Sequence, residues 1–234
     1  MIEDRYIIWY PKQESIESAM IILPGRGQTG LHLANDWSKT FLNKTLIVLI
    51  IPEERKWYPM PYSPKNQKEA VEGLEEARKV VDEVIDKISN DFKLPFNRIG
   101  LAGFSAGGVM ANYVVFNSNR ELAASVCHSG AILEPENVPK CKFPDIPFVL
   151  THSINDDAFD WYERFIPMKH SLYDNGYYLK TFENNINHDT SLIEIEESAL
   201  SICHRLGYSL NECLLASNYF YEDDIELFNK KDSI

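Results

Sequence analysis

A serine stands between two glycines in Gly103-Phe104-Ser105-Ala106-Gly107. A serine hydroxyl is a weak nucleophile until a base takes its proton, and it needs open space in front of it. The pattern glycine-x-serine-x-glycine supplies that space. It lets a strand turn sharply into a helix and lifts the serine Oγ clear of the backbone, a nucleophile elbow. The flanks fit: Ile99-Gly100-Leu101-Ala102 reads as a short buried strand, and Val109, Met110, Tyr113, Val114 and Phe116 fall close to helical spacing. Without its surroundings the pentapeptide equally describes a serine capping a helix behind a glycine turn. A base, an acid and an oxyanion site elsewhere in the chain must decide between the two readings.

Three further segments carry those residue types, each in a loop after a strand-like run. LPGRGQTG, 23–30, is a glycine-bracketed turn whose backbone N–H groups can point at a developing oxyanion, with the N–H of Ala106 as second donor. INDDAFD, 154–160, offers Asp156, Asp157 and Asp160 past the run PFVLTHS, where a carboxylate can orient an imidazole; a helical segment is expected to begin near Phe159, with Asp157 facing outward or capping it and Asp160 inside it. ENNINHDTS, 183–191, holds His188 ahead of a helical pattern. His32 and His170 lie in helical patterns, His128 and His152 at strand ends and His204 late in a helix, which suits packing or surface roles. The order serine, aspartate, histidine is that of α/β-hydrolases and differs from the chymotrypsin and subtilisin orders.

Strands are expected over 6–10, 19–23, 45–51, 98–102, 123–127, 148–152 and 178–182, several as continuous apolar runs of the kind covered on both faces. Between them lie helical patterns, clearest over 66–88 with Val71, Leu74, Ala77, Val81, Val84, Ile85 and Ile88 on one face. Such alternation predicts an α/β fold with a mostly parallel central sheet and helices on both faces. In open parallel sheets ligands bind at the carboxyl ends of the strands, where these loops lie.

The 234 residues, 44% hydrophobic, suffice for one sizeable core. No repeat or linker divides them, so one domain is expected over 1–206, with 207–234 as a C-terminal helical extension and acidic tail of that domain. No run reaches the roughly 18 apolar residues of a membrane span. The N-terminus lacks a basic start and a long apolar run, which suits a first strand of a cytoplasmic protein. Cys127, Cys141, Cys203 and Cys213 show neither a CxxC pair nor zinc spacing and read as free thiols in a reducing compartment. The net charge of −12 argues against nucleic acid and stable membrane binding. Neither a P-loop nor a complete dinucleotide-binding glycine turn is present.

With GFSAGG at 103–108, LPGRGQTG at 23–30, HSINDD at 152–157 and NHDTS at 187–191, the chain resembles the carboxylesterase/phospholipase family of α/β-hydrolases, which includes acyl-protein thioesterases, over about residues 18–206. The resemblance implies a serine hydrolase acting on small-molecule carboxylic esters or thioesters through an acyl-enzyme, with no metal or cofactor, as a monomer or homodimer. It casts Ser105 as nucleophile, His188 as base, Asp156 as the orienting acid and the amides of Arg26 and Ala106 as the oxyanion hole. It also places the aromatic loop with Trp57, Tyr58 and Met60 beside the site, as a surface for an apolar substrate group. The chain departs from the family in having Pro24-Gly25 for histidine-glycine, Gln28 for an acid, and Ser153 and Asn187 for glycines. Other chemistry on the same fold (a peptidase or dienelactone-type enzyme) and a catalytically weak ligand-binding member are the alternatives. Beyond about Tyr208 no catalytic group is expected, and Leu210, Cys213, Leu214 and Leu215 suggest a packing face.

Overall fold

A computed structural model describes residues 5–11, 15–59 and 66–216. Seven strands form one sheet in the order β1-β3-β2-β4-β5-β6-β7. They are β1 (Tyr6–Trp9), β2 (Ser18–Leu23), β3 (Thr45–Ile50), β4 (Ile99–Phe104), β5 (Ser125–His128), β6 (Pro147–Ser153) and β7 (Tyr178–Asn184). All neighbours run parallel except β1, which pairs antiparallel with β3 along the outer edge.

The apolar runs exist because the sheet has no solvent face. Along β2, Ala19, Ile21 and Leu23 enter one core while Met20 and Ile22 enter the other, and along β3 Leu46, Val48 and Ile50 oppose Ile47 and Leu49. The first face is covered by α2 (Gln67–Phe92), α3 (Ala106–Asn117) and α4 (Ile166–Asp174), the second by α1 (Leu31–Lys39) and α5 (Leu192–Ile202). Ile21 is fully buried, so its replacement by alanine would cost about 2–5 kcal/mol in lost contacts and cavity formation. On α2, Ala70, Leu74, Val81, Val84, Ile85 and Ile88 form the buried stripe, at the helical spacing the sequence displays. Its outer face carries Arg78, hydrogen-bonded to Glu75 and Asp82, and Asp82 also receives Arg120 from beyond the end of α3.

The chain winds from β2 to β3 on one side and then crosses to β4 on the other, so the strand order reverses between β2 and β4. The carboxyl ends flanking that reversal are where such sheets bind ligands. The loop after β2 holds Arg26, and the turn after β4 holds Ser105.

Two expectations fail at the C-terminal end. Cys203 and Cys213 form a disulfide, with Cα atoms 6.4 Å apart, so the four cysteines are not all free; Cys127 and Cys141 remain thiols. Disulfides are rare where glutathione keeps thiols reduced, so cysteine usage no longer supports a cytoplasmic placement. Residues 210–216 are helical, but Leu210, Leu214 and Leu215 are exposed instead of packed. Cys213 alone of that set lies against the core, held there by its bond to Cys203. The segment is attached mainly by polar contacts: Tyr208 Oη accepts from the Lys44 amide at 2.7 Å and meets Thr45 Oγ1 at 3.1 Å, and Lys44 Nζ pairs with Glu212 at 2.7 Å. Residues 217–234, expected to form an acidic tail, lie outside the described residues. Among the described residues no helix is long and apolar enough to cross a membrane.

Candidate active site

Ser105 occupies the turn between β4 and α3 at φ 54°, ψ −120°, a conformation that L-residues rarely adopt. Its N–H is tied to the His128 carbonyl at 2.8 Å, anchoring the turn to the end of β5. The neighbouring glycines are steric necessities. A Cβ on Gly103 would stand 2.1 Å from the Gly107 carbonyl oxygen, and one on Gly107 would stand 1.9 Å from that of Leu23. The elbow is therefore pressed against its own helix and against the end of β2.

His188 reaches Ser105 from the loop after β7, with Nε2 2.8 Å from Oγ. Its Nδ1 lies 2.8 Å from Asp156 Oδ2. An ionised carboxylate only accepts, so Nδ1 carries the proton and Nε2 presents its lone pair to the serine hydroxyl. The imidazole sits between Phe104, 5.0 Å away between ring centres, and Phe159, at 5.8 Å.

Asp156 is buried in the loop after β6. Its Oδ1 accepts from the amides of Ala158, at 2.9 Å, and Phe159, at 2.7 Å, which fixes the carboxylate in the loop's own backbone. Burial pushes its pKa up, but the hydrogen bonds from His188, Phe159 and Ala158 outweigh that push and hold it below the usual carboxylate value. Asp157 is exposed. Asp160 lies not within the next helical segment but at its N-cap, accepting from the Tyr162 and Glu163 amides at 2.8 Å each. Of the three carboxylates, Asp156 is the one in contact with His188.

Residues 8–165 match the phospholipase/carboxylesterase family. The chain belongs to that family. Its fold is the α/β-hydrolase fold. A stretch of 93 residues is 34% identical to the acyl-protein thioesterase 1 homolog 2 of Dictyostelium discoideum, covering 36% of this chain and 38% of that protein. The shared stretch is thus well under half of that relative's length. Among solved structures, a phospholipase/carboxylesterase from Dyadobacter fermentans superposes with a TM-score of 0.72 at 19% identity, over 85% of this chain and 96% of that one. Zea mays acyl-protein thioesterase 2 superposes with a TM-score of 0.68 at 18% identity, over 87% and 99%.

Against the usual pattern of this phospholipase/carboxylesterase family, the loop after β2 begins Pro24-Gly25, and the structure shows what holds it. Trp57 Nε1 donates to the Pro24 carbonyl at 2.8 Å, the Gly27 amide donates to the Arg55 carbonyl at 2.8 Å, and the Arg26 guanidinium donates to the Tyr58 carbonyl at 3.3 Å. Gln28 folds back to accept from the Gly25 amide at 3.3 Å. The backbone N–H groups of Arg26 and Ala106 make no hydrogen bond among the described residues, so both are free to donate. Trp57 and Tyr58 are buried in the core below this loop, and their polar contacts brace it; Met60 lies outside the described residues.

The residues that support the site carried no sequence signal of that role. His152, fully buried at the end of β6, gives Nε2–H to the Phe159 carbonyl at 2.7 Å and stacks on Phe165 at 4.9 Å between ring centres. Burial pushes its pKa down, and the bond to Phe159 and the charge of Asp156 only partly offset this, so it stays neutral beneath the aspartate. Ser129, at φ 46°, donates its hydroxyl to the Asp189 carbonyl at 3.1 Å and ties the His188 loop to the end of β5. Among the described residues no group of three or more His, Cys, Asp or Glu is placed to hold a metal ion.

Proposed function

We propose that this chain is a serine hydrolase that cleaves carboxylic esters or thioesters through an acyl-enzyme. The observation that carries the reading is the unbroken path of 2.8 Å contacts from Asp156 through His188 to Ser105 at a strained elbow. In the first half-reaction His188 Nε2 takes the hydroxyl proton while Ser105 Oγ bonds to the carbonyl carbon. The imidazolium is stabilised by Asp156, which keeps its negative charge. The oxyanion is met by the N–H groups of Arg26 and Ala106. The tetrahedral intermediate then breaks the bond to the leaving oxygen or sulfur, which receives its proton from His188. In the second half-reaction His188 takes a proton from water, hydroxide adds to the acyl carbon, and the acid departs with Ser105 reprotonated. The family match supports hydrolase chemistry, and the thioesterase relative supports a thioester among the substrates.

Trp57 and Tyr58 serve this reading from below, by holding the loop that carries the Arg26 amide. Reaction with a fluorophosphonate probe tests the assignment. Stoichiometric labelling of Ser105, with a burst of one equivalent of p-nitrophenol from p-nitrophenyl acetate, is the expected result. A folded protein that neither labels nor bursts is a ligand-binding member of the fold instead.

A further inference from the structure

Asp156 is fixed by bonds within its own loop, but His188 is not. The backbone N–H and carbonyl of His188 make no hydrogen bond among the described residues. Its loop, 185–190, is long enough to stretch over roughly 20 Å, so its shape depends on how its two ends are held. Both ends are held by Glu194, in the first turn of α5 and only 3% exposed. Asn184 Nδ2, at the end of β7, donates to Glu194 Oε1 at 2.6 Å, and the Ser191 amide donates to Oε2 at 2.8 Å. The Asn184 side chain is oriented from its other end as well, since its Oδ1 accepts from the Ile186 amide at 3.0 Å. Ser191 Oγ in turn accepts from the Glu194 amide at 3.2 Å, which completes a capping box for α5. A capping box needs only Ser191. The bond to Asn184 is additional, and it turns a helix cap into a clasp across the base of the loop that carries His188.

We propose that Glu194 is a positioning residue for the reaction: by closing the loop at both ends it sets where His188 meets Ser105 and Asp156. The inference rests on the serine hydrolase reading and deepens it. One argument is geometric. His188 makes 2.8 Å contacts through both ring nitrogens, and a displacement of about 1 Å in a reacting group costs on the order of 10²-fold in rate. A loop with no backbone bond at the histidine passes any movement of its ends to the imidazole. The bond from Ser129 to the Asp189 carbonyl and that between Asn155 and Asn185 each hold a single point of it. The other argument is chemical. The clasp joins two donors, an amide NH2 and a backbone N–H, so it requires an acceptor at each oxygen. An ionised carboxylate supplies both; a glutamine of the same shape supplies one and sets its own NH2 against a donor.

The test uses the full chain. Glu194→Gln should lower kcat for p-nitrophenyl acetate roughly 10- to 100-fold with KM within about twofold. Fluorophosphonate labelling of Ser105 should slow by a similar factor, and the downfield proton resonance of His188 Nδ1–H, which reports the bond to Asp156, should broaden. Ser191→Ala separates the cap from the clasp: it removes the hydroxyl that caps α5 but keeps the bonds from Asn184 and from the residue 191 amide, so Tm should fall while kcat stays within about twofold. Asn184→Ala opens the clasp from the strand side without touching the cap and should reproduce the loss; it serves alone should Glu194→Gln fail to fold. Combined with Glu194→Gln it should add little, because the two remove one shared bond. Unchanged kcat and resonance in either folded clasp variant, or an equal loss of turnover in Ser191→Ala, would overturn the positioning role and leave the hydrolase standing. A parent chain that neither cleaves the ester nor labels at Ser105 would instead remove the hydrolase reading and this inference with it.

Discussion

The loop that carries Asp156 and the segment that ends the described chain are both appended to the core, yet they are held by opposite means. Between residues 152 and 163 the bonds are local. Asp156 takes the amides two and three residues ahead, His152 reaches the carbonyl seven residues on, and Asp160 caps the helical segment at the loop's far end. Beyond Cys203 a local cap joins Ser209 and Glu212, but the bonds that dock the segment are remote: Tyr208 binds at Lys44 and Thr45, Arg205 at Glu121, and Arg98 at the Arg205 carbonyl. A local network fixes a side chain to within the tolerance a proton transfer needs. Remote contacts fix only where a segment lies.

The most severe test removes the hydrogen-bond acceptor from the local network. Asp156→Asn keeps the size but leaves the imidazole without its anion and in the wrong tautomer, so kcat should fall on the order of 10³ to 10⁴ with the fold intact by circular dichroism. Asp157→Asn, one position along on an exposed side chain, should lose less than about tenfold. Equal losses would mean that the local bonds do not single out one carboxylate.

The loop after β2 is an intermediate case, because the proposed mechanism gives it a part in the reaction while it is pinned by partners more than thirty residues away. Trp57→Phe keeps the ring and removes the bond to the Pro24 carbonyl. If remote bracing suffices for an oxyanion donor, kcat should drop about tenfold with KM little changed, less than the 10²- to 10³-fold loss of a whole donor. An unchanged kcat would show that the buried ring alone holds the loop.

The smallest effect on chemistry is expected at the other end of the comparison. Cys213→Ser opens the bond to Cys203 and frees a loop of ten residues. A disulfide of that span is worth about 2–3 kcal/mol, which lowers Tm by roughly 5–10 °C in a domain of this size. Turnover at 25 °C should stay within about twofold. A large loss of turnover in the folded variant would give the segment a part in building the site.

The same contrast explains what the sequence made legible. The inner strands β2 to β6 are buried at every position, which is why apolar runs such as MIIL and LIVLI mark them; the edge strands β1 and β7 are partly exposed, and β7 mixes lysine, threonine and glutamate into its run. The structure moves the ends of the seven expected strands by only a few residues. The elbow was legible because the clash that demands its glycines lies between residues four apart, Gly103 and Gly107. Asp160, expected inside its helical segment, stands at the N-cap, a difference of boundary and not of element. The disulfide left no trace, since two cysteines ten residues apart match no motif and only the turn at 203–209 brings them together. The apolar spacing of Leu210, Leu214 and Leu215 mimicked a packing face where the described fold offers no surface to cover it. Nor could the brace from Trp57 be read: an indole in an aromatic loop looks the same whether it faces a substrate or a carbonyl of the chain.

The backbone at Ser105 has a bearing on how a chain of this kind changes over generations. At φ 54° and ψ −120° the position suits glycine, and any side chain there costs on the order of 1–3 kcal/mol. The hydroxyl is thus retained against the fold's own preference, and Ser105→Gly should melt at a higher temperature than its parent while Ser105→Ala, which keeps a Cβ, should not. A descendant released from selection for activity would gain robustness by that single replacement. A glycine at this position in an otherwise intact homologue would therefore mark a lineage that had kept the architecture and abandoned the reaction.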